Sequence, residues 1–474
     1  MSARYRGTSR LIIATSALTL AGATATAQAT GFQIREQSAK ALANSLANAA
    51  AGAEDVSFMA YNPAALGNID GTQVAGSLAY IDAEFDLENG RASPSAVQLN
   101  GPSDGLPYDG SKGNSGEAAL VPAFAVKTQL NDSLDAGLAV YSPYGLSTDY
   151  DHDWIGRYHA LETDLKVVDI QPTLNVRVTD RLSLAGGLRV QYADATLSNA
   201  LDLGGLWNPL LAGQHDGIAE VTGDDWGVGY TVGALFQVTD RTRVGVSYRS
   251  EVELTLTGDA EFGATDTTSQ NILDAAQQSG QFTDTSGKAD LTTPASLNLG
   301  VYHQATDRLA LMFNAEWTEW SSFEELVVKF GDNTPNSVTE ENWENTWALS
   351  TGASYALTGR WTLRGGIGMD ESPVPNAQHR TPRVPDVDRR WLSAGATFSP
   401  TDRLSITGAW MHIFFDDGDV DLENESRGNL SGTYEGTANL FRARRTSSPS
   451  PPTTASDPPP RKKGSPAEAG RPFS

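Results

Sequence analysis

The chain has 474 residues, 34 Lys and Arg against 58 Asp and Glu, a formal net charge of -24 and no Cys. So acidic a chain lacks the clustered cations that phosphate contacts need, which argues against nucleic acid as a partner, and without Cys it can hold no thiol nucleophile or thiolate metal site. At 39% hydrophobic residues it is too polar for a bundle of membrane helices, yet compatible with a membrane barrel, where only alternate residues meet lipid.

At the N-terminus, Arg4, Arg6 and Arg10 precede an apolar run from Leu11 to Leu20, and Ala27-Gln28-Ala29 follows as a small-residue cleavage site. This is the layout of a secretory signal peptide over 1–29, with the mature chain starting at Thr30. The apolar run is too short for a membrane anchor, which takes about 20 residues. From Thr30 to about Gly71 the chain is rich in Ala, Asn and Ser, with a helix-like stretch near Ser38–Asn48. It then reads Asn62-Pro63-Ala64, a rigid turn, because proline fixes φ and removes a donor. Taken alone, this segment reads as an appendage or linker.

A first strand is expected at about 72–86, and from there one short motif recurs: Asn131-Asp132-Ser133, Thr179-Asp180-Arg181, Thr239-Asp240-Arg241, Thr306-Asp307-Arg308, Thr358-Gly359-Arg360 and Thr401-Asp402-Arg403. Asp and Gly tolerate tight-turn angles, and an Asp side chain can bond its own backbone. Around Asp180, the apolar series Val168-Ile170-Pro172-Leu174-Val176-Val178 interleaves with Gln171, Thr173, Asn175 and Arg177, the pattern of a strand between lipid and a wetter interior. The remaining connections, roughly 87–116, 142–164, 196–221, 257–291, 319–344, 370–388 and 416–431, are long and polar. Six tight turns give twelve strands; with the first strand and a last one from Thr433, the reading is a 14-stranded antiparallel transmembrane β-barrel of the all-β class. Aromatic residues near strand ends (Trp154, Tyr158, Trp226, Tyr230, Trp317, Trp320, Trp343, Trp347, Trp391 and Trp410) fit a membrane–water interface, with some in loop cores.

The last strand alternates through Phe441. The texture then changes at Arg442-Ala443-Arg444-Arg445 to a Pro/Ser/Arg-rich run ending at Ser474. Residues 442–474 have too little apolar surface to bury, so they are expected to form a disordered basic tail, as a reading-frame change late in the gene would leave. The seam at Thr433–Phe441 is expected to be the weakest part of the barrel.

Several short motifs carry a family resemblance. Gly31-Phe32-Gln33 follows the cleavage site, and Asn62-Pro63-Ala64 comes about thirty residues on. Gly145-Leu146-Ser147-Thr148, Trp154-Ile155-Gly156-Arg157-Tyr158, Trp226-Gly227-Val228-Gly229-Tyr230, Asp370-Glu371-Ser372-Pro373-Val374-Pro375 and Trp391-Leu392-Ser393-Ala394-Gly395 follow in order. Together they resemble the FadL/TodX family of outer-membrane hydrophobic-compound transporters. The resemblance implies that 30–71, with Gly31, Phe32, Asn62, Pro63 and Ala64, is a hatch inside a barrel formed by 72–441. It implies that the Asn62 turn lies against an inward kink of the third strand, which opens a hole in the wall; Gly137 is the candidate kink, since a strand glycine often marks a bend.

The implied function is uptake of long-chain fatty acids or similar hydrophobic molecules. An outer-loop groove holding Leu203, Leu206, Trp207, Leu210 and Leu211 would capture the ligand, and the acyl chain would lie behind the hatch. A carboxylate head would favour an inward cation, and strand parity offers Arg189, Arg243, Arg249, Arg364 and Lys329, although inward Arg in barrels more often pairs with inward acids such as Glu251 or Glu316. No catalytic residue, cofactor or metal is expected: the six His fall in no recognisable enzyme motif, and Asp151-His152-Asp153 reads as a solvated loop. A barrel of this class sits in outer-membrane lipid and lipopolysaccharide, is inserted by the barrel-assembly machinery, and is expected to be a monomer. The alternatives are an aromatic-hydrocarbon transporter of the same family, a general porin, which would lack the N-terminal plug, and a structural or adhesin barrel, whose loss would leave uptake unchanged.

Overall fold

The computed structural model describes residues 31–93, 110–116, 118–422 and 433–446. The leader at 1–29 and the tail from 447 onward lie outside these described residues. The first half of the wall comprises β1 (Gln73–Ser93), β2 (Ala119–Asn131), β3 (Leu134–Tyr141), β4 (Glu162–Thr179), β5 (Leu182–Leu201), β6 (Gly217–Thr239) and β7 (Thr242–Arg249). The second half comprises β8 (Ser296–Gln304), β9 (Leu309–Thr318), β10 (Thr346–Ala356), β11 (Trp361–Asp370), β12 (Arg389–Thr401), β13 (Leu404–Phe415) and β14 (Thr433–Thr446). Each strand pairs antiparallel with its sequence neighbours. β14 returns to pair with β1, so the fourteen strands form a ring. In lipid this is the solution open to strands, because a ring leaves no sheet edge without partners.

Side chains alternate as the pattern requires. On β4, Gln171, Thr173 and Asn175 are buried, while Leu174 and Val176 are 56% and 44% exposed on the outside. Val228, Val232, Leu311, Phe313, Ile367 and Leu392 continue this apolar outer face around the ring. The tight turns fall where the repeated motif puts them, but the threonine makes the bond. Thr179, Thr239, Thr306, Thr358 and Thr401 each accept through Oγ1 from the backbone N–H two residues on, and Asn131 does so through its side-chain oxygen. The aspartates instead reach sideways: Arg181 pairs with Asp240, and Arg241 with Asp307. Both pairs are solvent-exposed and contribute little to stability.

Opposite these turns, several strands continue outward into the loops. Val252–Ala264 stays paired to the outer end of β6, Thr285–Thr293 pairs with it, and Glu325–Phe330 adds to that sheet. Two helices cover it: α2 (Leu203–Trp207) and α3 (Thr267–Gln278), after α1 (Ala39–Ala43) near the N-terminus. Asp266 starts α3 by accepting from the Thr268 and Ser269 amides, and Leu273 on its inner face packs with Leu203, Phe262 and Phe282.

Two expectations are corrected here. Of the ten aromatics assigned to the interface, Trp154, Tyr158, Trp320, Trp343 and Trp391 are buried, whereas Trp226, Tyr230, Trp347 and Trp410 face outward. Buried rings close the outer end of the barrel, as where Trp154 stacks on Tyr150. The closing strand does not end at Phe441: its backbone ladder runs through Thr446, against Ala79–Ala83 of β1 and Ala409–Ile413 of β13.

Candidate functional site: the plugged lumen

Residues 31–69 lie inside the ring, and only Asn68 among them is exposed. The segment is mostly non-regular, with α1 and two short 3-10 turns, Val56–Ala60 and Pro63–Asn68. Such a chain leaves carbonyls without internal partners, and buried carbonyls need donors. The wall supplies them. Arg243 donates to Ala51 O (2.6 Å), Arg249 to Ala60 O (2.7 Å), Ser247 to Tyr61 O (2.7 Å), Lys127 to Leu66 O (3.1 Å) and Arg177 to Gly67 O (2.7 Å). Ion pairs tie the charged hatch residues to the wall: Arg35 to Asp370 (2.7 Å) and Glu316 (3.3 Å), and Glu54 to Arg364 (2.5 Å).

Asn62 is fully used. Its oxygen accepts from Ala64 N (3.0 Å), and its amide donates to Ala50 O (2.7 Å) and Ala234 O (3.2 Å). The Asn62-Pro63-Ala64 turn therefore sits against β6, where a methyl on Gly233 would meet Pro63, and not against Gly137 of the third strand, where the hatch presents Met59 and Leu66. Gly137 is no kink either. The ladder passes through it unbroken, with Lys127 on one side and Thr173 on the other. Its missing side chain makes room for the hatch: a methyl there would lie 2.6 Å from Met59 Sδ. Gly352 and Gly366 do the same for Asn44 O, at 2.6 and 2.7 Å.

The interruption of the wall lies five residues further on. β3 leaves β2 after the pair Val140–Phe124, and the chain resumes its pairing with β4 only at Gly145–Asp149. Between them, Ser142-Pro143-Tyr144 turns to the hatch. Pro143 O accepts from Ile34 N (2.7 Å), Phe32 O accepts from Gly145 N (2.8 Å), and Gln33 bridges Tyr144. Among the described residues, Ala119–Ala123 of β2 pair with β1 alone. A proline, which cannot donate to a ladder, stands where the third strand breaks. Pro143 is the sequence signal for the break, and it stands at the start of the 142–164 connection.

Beside the break, Phe32 is enclosed by Tyr144, Trp320, Phe323 and Trp343, with ring centroids 4.9–5.9 Å away. Gly31 precedes it at φ +56°, crowded by Trp343 and Trp320, which only glycine tolerates without strain. This cage was not foreseen, because it draws on three separated segments. From it a buried apolar column runs outward through Leu146, Leu165, Val252, Leu254, Leu256, Leu291 and Val384.

The candidate cations separate by partner. Arg189 is neutralised by Asp169 (2.7 Å) and Arg364 by Glu54. Lys329 is not inward: it lies on the outer Glu325–Phe330 strand, exposed and paired with Asp290 (2.9 Å). Arg243 faces the Tyr302 ring and the hatch. Arg249 has no carboxylate within 4 Å among the described residues; it bonds Ala60 O and the Tyr141 hydroxyl. It lines a small cavity with Gln33, Arg35, Tyr61 and Glu316, next to the break. At the outer end, Leu203 is buried against α3, while Leu206, Trp207 and Leu210 are exposed, Leu210 by 80%, and Leu211 is half-buried. Asp151, His152 and Asp153 are all exposed.

Burial also pushes the Glu341 carboxyl in the outer loops up to about 8, against the pull of hydrogen bonds from Trp343 and Thr381. Its folded value exceeds the unfolded one, so the fold holds the extra proton, and its contribution to stability is lost as pH rises from about 4.5 to about 8. Protease resistance of the outer loops should fall across that window. Glu341→Gln should flatten the dependence; an unchanged slope would mean that another group carries it.

Residues 20–448 match the family described as outer membrane protein transport protein (OMPP1/FadL/TodX). The chain is 29% identical over 435 residues to the long-chain fatty acid transport protein of Salmonella typhi, an alignment covering 88% of this chain and 97% of that one. A Pseudomonas aeruginosa FadL homologue of known structure matches with a TM-score of 0.77 at 26% identity, over 88% of this chain and 99% of that one. The Pseudomonas putida toluene transporter TodX shares the fold, with a TM-score of 0.59 at 16% identity. An apolar-faced ring, a lumen filled by its own N-terminal segment and a match along nearly the whole chain make this protein a member of the FadL/TodX family of transporters of the bacterial outer membrane.

Proposed function

We propose that the protein takes up long-chain fatty acids through a lateral route. The exposed Leu206, Trp207 and Leu210 first capture the ligand, with Leu203 and Leu211 beneath them. The acyl chain then follows the apolar column toward the Phe32 cage, where the carboxylate meets Arg249, and it leaves through the break at Ser142–Tyr144 into the membrane. The observation that carries this reading is the break itself: the hatch fills the lumen, so an axial path is blocked, while β2 and the third strand part beside the apolar cage. An Arg without a carboxylate partner favours an acid over a neutral aromatic hydrocarbon. The protein acts as a monomer in lipid and lipopolysaccharide, inserted by the barrel-assembly machinery.

Expression in a Gram-negative host unable to import long-chain fatty acids should restore oleate uptake. Pro143→Val returns an N–H to the strand and lets it stay beside β2; this variant should bind oleate at the cell surface but import it several-fold more slowly. Restoration of toluene entry without oleate entry would favour the hydrocarbon alternative. Normal import by a well-folded Pro143→Val protein would remove the lateral route.

A further inference from the structure

We propose that an arc of three unpaired arginines at the short-turn end of the barrel, Arg308, Arg360 and Arg403, binds the headgroups of anionic phospholipids in the membrane leaflet on that side. This goes beyond the uptake reading and does not depend on which molecule the barrel imports. The arc arises from the repeated turn motif. In the first part of the ring, each arginine of that motif reaches the aspartate of the next turn: Arg181 pairs with Asp240 (3.4 Å) and Arg241 with Asp307 (2.8 Å). Then the series of pairs stops. The turn that follows has Gly359 where an aspartate would answer Arg308. Arg360 forms no ion pair with Asp402, and no further turn of this motif follows Arg403. Nothing at 359 demands glycine: its φ is not left-handed, and a methyl there would meet no atom within 4 Å.

All three arginines are exposed, and their side chains have no partner among the described residues. Arg241 already takes Asp307, so within these three turns Asp402 alone opposes them. The other flank of the same end has the opposite sign: Asp132 and Asp180 are exposed and stand in no ion pair among the described residues. A chain of net charge -24 thus carries here a local excess of positive charge. Short turns face the periplasm, so the arc meets the inner leaflet of the outer membrane. Neighbouring turns are two strand spacings apart, roughly 10 Å, which is about one Debye length, so their charges act together on a lipid. The surface beside the arginines is apolar. Leu357, Trp361 and Leu404 are 49%, 43% and 53% exposed, and the Trp361 ring lies 4.7 Å from that of Phe398. Tryptophan favours the membrane–water boundary, which sets Arg360 beside it at the level of the headgroups. A guanidinium fork matches a phosphate with two parallel bonds, and the acyl chains then lie along the apolar belt. The arc runs from β8 to β13, whereas the wall is interrupted at the third strand, so a lipid held here leaves the break free.

The test titrates the full-length protein in neutral detergent with dioleoyl phosphatidylglycerol and, separately, dioleoyl phosphatidylethanolamine, counting bound lipids by native mass spectrometry. The two lipids share their chains and differ in net charge. Each basic residue near an anionic surface contributes roughly fivefold, so Arg308→Gln, Arg360→Gln and Arg403→Gln together should weaken phosphatidylglycerol binding by about tenfold or more and leave phosphatidylethanolamine within about twofold. Arg181→Gln with Arg241→Gln removes two arginines that already have partners, and should change neither lipid by more than about twofold. Gly359→Asp keeps all the arginines and supplies the missing partner of Arg308; it should weaken phosphatidylglycerol binding by several-fold. All these positions lie in exposed turns, and a heat-modifiable band on a gel shows that each variant is folded. Unchanged phosphatidylglycerol affinity in the folded triple variant would overturn the proposal. So would an equal loss in the Arg181/Arg241 variant, an equal loss of both lipids in the triple variant, or a Gly359→Asp protein that binds as the unmodified one does. Equal displacement of phosphatidylglycerol by a soluble glutamate tetrapeptide, which cannot use the apolar belt, would mark the arc as a surface for acidic protein and overturn the lipid assignment.

Discussion

A chain truncated after Phe441 should fail to fold into a heat-modifiable barrel, whereas one truncated after Thr446 should fold. Residues 442–446 supply the ladder for Ala79–Ala83 on one side and Ala409–Ile413 on the other. Removing them exposes two strand edges inside the membrane, where each unsatisfied backbone group costs several kcal/mol and no water can take the place of the lost partner. The seam is already short. Among the described residues, Gln73–Leu78 of β1 and Leu404–Gly408 of β13 have no partner on the side facing β14. The sequence that follows, Ser447-Ser448-Pro449-Ser450-Pro451-Pro452, offers three prolines without an N–H. Replacing 447–452 with an alternating apolar–polar strand should therefore raise the temperature at which the band shifts on a gel. Equal folding of both truncated chains would mean that the ring does not depend on the last five residues of β14.

Deleting residues 32–66 should convert a nearly closed protein into an open pore. A fourteen-strand ring encloses a lumen wide enough for water unless something fills it, and here the N-terminal segment does. The wall residues that hold it, among them Arg243, Ser247, Lys127 and Arg364, are polar or charged, so water entering the lumen can solvate them. The ring should thus survive the deletion, with its strand pairing intact. Planar-bilayer recordings should show a large step in conductance relative to the full chain. A deleted protein that folds but conducts no better would show that the outer loops alone close the barrel.

The wall was largely legible because its determinants are local. A Thr-Asp-Arg turn and a period-two run each report on themselves, and the six turns fell where the motif stood. The inside was not, because its determinants come from distant segments. Arg364 is an inward arginine by parity alone, but its partner Glu54 lies 310 residues away in the hatch. Parity misled at Lys329, since the outer strand that carries it joins Gly287–Ala289 beyond the wall. Gly137 and Pro143 are both residue types that can interrupt a strand. Which of them breaks the strand depends on Gln33 and Ile34 standing ready to take over the pairing, and no pattern within the strand encodes that. The boundary at Phe441 was drawn from composition, while the backbone ladder follows register.

The close fit of hatch to wall at Gly137, Gly352 and Gly366 sets an order in time for assembly. With space for no methyl group between them, the hatch cannot be threaded or slid into a finished ring. It precedes β1 in the chain, and the ring shuts where β14 meets β1. The N-terminal segment must therefore be seated against the open sheet before that last pairing zips. A barrel that closed early would strand it on the periplasmic side, producing a folded but permanently leaky protein.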